Sequence, residues 1–277
     1  MAAVTPTSRP IGVFDSGVGG LTVLRALRAA LPAEDFVYLG DTARLPYGTK
    51  SRASVVRYSV QAAEALIERD IKCLVVACNT ASAFALGSLR ERCAPLPVIG
   101  VVEPGAQAAC AASRTGHIVV IGTEGTVQGG AYQESIRRLR ADARVTAQAC
   151  SLFVALAEEG WTEGPIVEAI VARYLNPVFA GLAADPADVL VLGCTHFPVL
   201  ADSIRSVLGP TVTLVDSAAT TAQAVVRGLA TDGIRHPLPA TGGTLLLATD
   251  GAARFARVGA RFFGESIDAA HVEIIDL

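Results

Sequence analysis

The sequence predicts an α/β protein of two similar domains facing one another, each a mainly parallel sheet flanked by helices and each supplying one cysteine. Short apolar runs alternate with helical patterns along nearly all of the 277 residues, the order that builds parallel sheets. Two of those runs, Cys73-Leu74-Val75-Val76 and Val189-Leu190-Val191-Leu192, each lead into a cysteine and then polar residues: Cys78-Asn79-Thr80 and Cys194-Thr195-His196. Uninterrupted apolar strands of this kind lie buried on both faces of a sheet. Ligands of open parallel sheets bind just beyond the carboxyl ends of such strands.

In order, Ile11–Phe14 is a strand that enters the Gly-rich turn FDSGVGG, and Leu21–Ala30 continues as a helix. Phe36–Leu39 is a strand. Ser51–Arg69 carries Val56, Val60, Ala63 and Ile67 at the spacing of one helical face. Cys73–Ala77 is the strand of the first cysteine and Thr80–Arg92 its helix. Val98–Val102 reads as a strand that ends at Glu103-Pro104, where proline discourages continuation. A second series follows: strand His117–Ile121, turn GTEGT, and helices over Gln133–Arg140 and Ile166–Tyr174. It continues with strand Val189–Leu192 and a helix after Pro198, a residue suited to a first helical turn. Thr213–Val215, Leu245–Ala248 and Val272–Ile275 are strands, with a helix over Ala252–Phe262. Residues 1–101 with 213–277 are assigned to the first domain and 102–212 to the second.

At 51% hydrophobic and 18% charged residues, the chain has the makings of a folded core. No apolar run reaches the roughly 20 residues of a membrane span. MAAVTPTSRP reads as a lead-in rather than a signal peptide, so a cytoplasmic location is expected. The net charge is −3, with no basic run to track a nucleic acid. Lys50 and Lys72 are the lysines, which leaves few candidates for a Schiff base. The six cysteines show no C-x-x-C and no zinc spacing; Cys73, Cys93, Cys110 and Cys150 read as small buried hydrophobes.

FDSGVGG brings an anion-friendly helix start without the G-K-[ST] of a phosphate loop. Its Asp15 is either a helix cap or a catalytic group. GDTARLPYG is a turn around Pro46 and Gly48, or a substrate contact through Tyr47 and nearby amides. In GTEGT, Thr123 and Thr126 either cap a helix or hold a carboxylate. His196 shares a strand-end loop with Cys194 and is placed to tune that thiol, whereas His117, His236 and His271 read as bystanders. Glu158 and Glu159 read as a helix C-terminal region. Two thiols flanking one cavity suit proton transfer at carbon: one thiolate removes a proton and the opposite thiol returns one to the other face. That chemistry needs neither metal nor nicotinamide.

The segments FDSGVGGLTV, YLGDTARLPYG, ACNTASA, GTEGTV, AEEG and LGCTHFPVL resemble, in order and spacing, those of the glutamate racemase family, over nearly the whole chain. The resemblance implies a cofactor-independent enzyme that interconverts L- and D-glutamate and supplies D-glutamate for bacterial peptidoglycan. It implies Cys78 as the thiol that deprotonates D-glutamate and Cys194 as the one that deprotonates L-glutamate. Asp15 would support Cys78 and His196 would support Cys194, with Glu158 auxiliary. Asp15, Ser16, Tyr47, Gly48, Asn79, Thr80, Thr123, Thr126, Thr195 and His196 would bind the substrate. The resemblance also implies two pseudo-symmetric α/β domains with the active site between them, and a homodimer. The chain departs from the family pattern at Gly125 and Gly129, where Ala and Ser are more usual, and at Ala155, where proline is expected. The alternatives are a racemase of aspartate or another small acid, a hydrolase built on Cys194 and His196, and a non-enzymatic protein that restrains DNA gyrase.

Overall fold

The computed structural model describes residues 6–237 and 241–277; residues 1–5 of the expected lead-in lie outside them. The first stretch runs β1 (Ile11–Asp15), α1 (Leu21–Ala30), β2 (Phe36–Gly40), α2 (Arg52–Ile67), β3 (Cys73–Val76), α3 (Asn79–Cys93) and β4 (Val98–Gly100). It crosses through α4 (Val102–Ala112) to β5 (His117–Gly122), α5 (Glu124–Gly129), α6 (Ala131–Leu139) and β6 (Arg144–Ala149). Next come α7 (Leu152–Glu159), α8 (Pro165–Gly181), β7 (Val189–Gly193), α9 (Ala201–Leu208) and β8 (Thr213–Asp216). The return is α10 (Ser217–Thr231), β9 (Thr244–Ala248), α11 (Ala252–Phe263) and β10 (Val272–Ile274).

Two sheets result, in the orders β10-β9-β2-β1-β3-β4 and β6-β5-β7-β8, with parallel pairing in both. The order β2-β1-β3-β4 repeats as β6-β5-β7-β8, so β3 and β7, which precede the two cysteines, occupy equivalent places. Along the strands, successive side chains enter opposite layers. Val119 and Ile121 of β5 join one apolar cluster, and Ile118 and Val120 join the other. Ile11 and Val13 of β1 are likewise separated from Phe14. Each sheet is therefore covered on both faces, as its apolar runs require.

The structure corrects several boundaries. β8 pairs with β7, so Thr213–Asp216 belongs with the second sheet and the second unit extends past residue 212. The expected strand Val98–Val102 stops at Gly100, and Val102 begins a helix whose first turn contains Pro104. Proline fits there because the opening N–H groups of a helix have no partner to lose. GTEGT is not a free turn: Gly122 ends β5, and α5 begins at Glu124, capped by Thr123, whose side chain accepts the Thr126 N–H. β6 and α10 have no counterpart in the sequence reading. β6, RVTAQA, is an edge strand and mostly half-buried, so it lacks an apolar run. α10 packs between α1 and α4 through small residues such as Ala218, Thr221 and Ala222, which give a weak periodic signal.

Candidate active site

The carboxyl ends of β1 and β3 meet those of β5 and β7. Thr22 Oγ1 donates to the Thr195 carbonyl at 3.1 Å, and Tyr132 donates to Asn79 Oδ1 at 2.8 Å. The approach is close. A Cβ at Gly48 would stand 2.6 Å from Thr123 Cβ, and one at Gly19 would overlap the His196 ring and Thr195 Oγ1. Glycine at these two positions lets one unit's loop lie directly against the other's.

Cys78 is the N-cap of α3. Its sulfur accepts the Ala81 N–H at 3.4 Å and its thiol donates to Ser16 Oγ at 3.5 Å. A helix N-terminus favours negative charge on such a sulfur. Burial wins here: together with the Asp15 charge it pushes the Cys78 thiol up to about 12, against the Ser16 and Ala81 hydrogen bonds. Asp15 ends β1 and is 1% exposed. Its Oδ2 accepts the Gly17 N–H at 2.9 Å, and its Oδ1 has no hydrogen-bond partner among the described residues. Burial raises its carboxyl above the ordinary value, opposed by the His196 charge and by backbone N–H groups of Gly20, Gly17 and Ser16.

Cys194 follows β7. His196 Nδ1 stands 3.8 Å from its sulfur, and His196 Nε2 is 3.2 Å from Glu158 Oε1. Glu158 Oε2 in turn accepts from Arg254 at 2.9 Å. Burial works against a charged imidazole, but the Cys194 sulfur, Glu158 and Asp15 outweigh it and raise His196 to about 10. The His196 hydrogen bond, aided by Arg254 and opposed by burial, holds the Glu158 carboxyl down to about 2. The Phe262 ring packs edge-on against His196 at 4.9 Å.

Between the two thiols lies a narrow cavity of about 40 Å³, walled by Ser16, Tyr47, Gly48, Cys78, Asn79, Thr80, Thr123, Thr126, Cys194, Thr195 and His196, with Pro46 and Val154. Asp15 lies behind this wall. Glu158 borders an adjoining apolar cavity of about 270 Å³, which also has Pro46, Gly48, Thr123, Val154 and Ala155 in its wall. Three hydroxyls form a triangle across the two units: Thr80 to Thr123 at 2.9 Å, Thr80 to Thr126 at 3.2 Å, and Thr123 to Thr126 at 3.1 Å. They and the buried Asn79 Nδ2, which has no hydrogen-bond partner among the described residues, supply donors for a carboxylate. The Tyr47 hydroxyl donates to Asp41, so Tyr47 contributes its ring and loop to the wall. Asp41 also accepts from Arg44 at 2.7 Å and Thr249 at 2.9 Å, which fixes the loop that carries Pro46 and Gly48.

Sequence reasoning read Pro46 as a turn residue and did not single out Asp41, Tyr132, Val154 or Arg254. Asp41 stood within GDTARLPYG as an acid six residues before a tyrosine, which was a usable signal. Arg254 carried none, since its partner lies in another unit.

A model of the Asp/Glu/Hydantoin racemase family matches residues 11–225. The glutamate racemase of Geobacter metallireducens is 49% identical over 256 residues, 92% of this chain and 93% of that protein. A glutamate racemase isoform of Bacillus anthracis superposes with a TM-score of 0.91 at 36% identity, covering 98% of both chains. The glutamate racemase of Francisella tularensis, solved in complex with D-glutamate, gives 0.88 at 34% identity with the same coverage.

Proposed function

Because this chain belongs to the Asp/Glu/Hydantoin racemase family, we propose that it interconverts L- and D-glutamate by proton transfer between two thiols. The observation that carries the reading is the placement of Cys78 and Cys194 after equivalent strands of two like-ordered sheets, in the wall of one cavity. With L-glutamate bound, the Cys194 sulfur takes the Cα proton. The electron pair is left on a carbanion delocalised into the adjoining carboxylate. Cys78, a thiol at neutral pH, gives its proton to the opposite face. The substrate keeps its formula, and the enzyme ends with thiol and thiolate exchanged; D-glutamate runs the same steps in reverse.

Each thiol has its own support. Toward Cys78, Ser16 and the α3 N-terminus stabilise the sulfur when it loses its proton, and the substrate ammonium offsets part of the burial cost. Toward Cys194, the charged His196 ring, held by Glu158, faces the sulfur. Thr80, Thr123, Thr126 and Asn79 orient the carboxylates so that Cα lies between the two sulfurs. The reading places the enzyme in the cytoplasm as a homodimer that supplies D-glutamate for peptidoglycan.

Incubation with L-glutamate in D2O, followed by NMR and optical rotation, tests the activity. Deuterium enters Cα as rotation is lost; a folded, reduced sample that exchanges nothing ends the proposal. L-aspartate run alongside is expected to react far more slowly. Cys78→Ser and Cys194→Ser should each abolish racemisation, and wild-type turnover in either overturns the two-thiol route.

A further inference from the structure

We propose that Arg254 is a positioning residue for the Cys194 half of the site, holding Glu158 so that it fixes and charges His196 from across the boundary between the units. The proposal deepens the racemase reading and rests on it for the meaning of the Cys194 half. Arg254 lies on α11, part of the first unit, whereas Glu158, His196 and Cys194 belong to the second.

One face of α11 makes all the contacts. Arg254 donates to Glu158 Oε2 at 2.9 Å. Arg261, two turns on and therefore on the same face, donates to the Glu158 main-chain carbonyl. Phe262, beside it, packs on the His196 ring. Glu158 is the penultimate residue of α7, one residue before Glu159 and the capping Gly160, which takes the left-handed conformation at φ 78°. The carboxylate thus stands on the last turn of a short helix and is steadied from outside by the two arginines. Its other oxygen is the one that meets His196 Nε2 at 3.2 Å.

Asp15, on the Cys78 side, shows no corresponding arrangement: Gly17 N–H meets one of its oxygens and the other has no hydrogen-bond partner among the described residues. The two carboxylates are therefore held differently, Glu158 by side chains from both units and Asp15 by backbone groups of its own loop.

The sign of one measurement separates positioning from bare charge. The titratable and charged groups around His196 are Cys194 on its own loop, Asp15 at the end of β1, and Glu158 on α7, with Arg254 and Arg261 of α11 behind Glu158. A positive group at that distance repels a charged imidazole, so deleting Arg254 while Glu158 stays in place raises the His196 pKa. If Arg254 instead holds Glu158 in place, its loss frees the carboxylate and the His196 pKa falls.

The test is an NMR titration of the His196 ring in the full-length protein, with the resonance assigned through His196→Asn. Arg254→Gln is expected to lower the midpoint by about one unit, within the range an opposite charge at close quarters supplies, and Arg254→Lys to restore most of it. In a Glu158→Gln background the same substitution should shift nothing further, since the two then act as one unit. An unchanged or raised midpoint in Arg254→Gln overturns the proposal, as does an equal shift in the Glu158→Gln background. The titration needs no turnover, so it stands or falls apart from the D2O assay. Where both hold, Arg254→Gln should lower kcat/KM by the same factor for both enantiomers, because their equilibrium constant is one.

Discussion

Replacing Glu158 by Gln removes the charge opposite His196 while keeping size and one acceptor. The Glu158 carboxyl is held down from 4.5 to about 2, chiefly by the His196 hydrogen bond. At 1.36 kcal/mol per unit this corresponds to about 3 kcal/mol, a ceiling because Arg254 shares in it. The side chain is 15% exposed, so solvent screening removes little of it. The rise of His196 from 6.5 to about 10 is larger because Cys194 and Asp15 also bear on the ring; the Glu158 value therefore describes the pair better. A depressed carboxyl stabilises the fold above about pH 4.5 and loses that contribution as pH falls toward 2. A raised histidine stabilises fully below 6.5, and its contribution is spent as pH rises toward 10. The deficit of Glu158→Gln should thus be about 2–3 kcal/mol near pH 6 and shrink as the pH rises through 10, leaving the share that Arg254 supplies. Urea unfolding of both proteins from pH 5 to 10.5 measures it. A deficit below about 0.5 kcal/mol at pH 6, the scale of an ordinary surface substitution, or one that persists undiminished above pH 10, refutes the reasoning.

Gly19→Ala would drive its Cβ into the His196 ring and Thr195 Oγ1. Racemisation should fall at least about tenfold, the effect of roughly 1.4 kcal/mol on a barrier, with kcat more affected than KM; wild-type kinetics would show that the loop gives way freely. Tyr47→Phe removes a buried donor to Asp41 and should cost about 1–3 kcal/mol of stability while raising KM through the loosened Pro46–Gly48 loop. An unchanged denaturation midpoint would show that Asp41 finds another donor.

Residues whose burial is continuous along the chain were legible from the sequence. β3 and β7 stand out as apolar runs because both faces of their sheets are covered, and the polar residues after them fall at the mouth of the cavity as a matter of strand geometry. Cys78, Thr80, Cys194 and His196 were read in this way, and Thr123 likewise after β5. β6 was missed because an edge strand half-open to water carries Arg144, Thr146 and Gln148 rather than valines. Pro104 read as a strand terminus, although the same residue is at ease in the first turn of α4. Glu158 read as an ordinary helix end, since its partners His196 and Arg254 lie 38 and 96 residues away.

The sequence by itself determined the alternation of strand and helix, the two cysteine loops and the polar residues beside them, because these follow from local apolar patterning and from the direction of a parallel strand. Only the tertiary structure decided that β8 closes the second sheet, that Asp15 stands behind the cavity wall, and that α11 of one unit grips Glu158 of the other. Those outcomes depend on which buried surfaces meet across the two units and on how each buried charge finds a partner there, and neither is a property of any short stretch of chain.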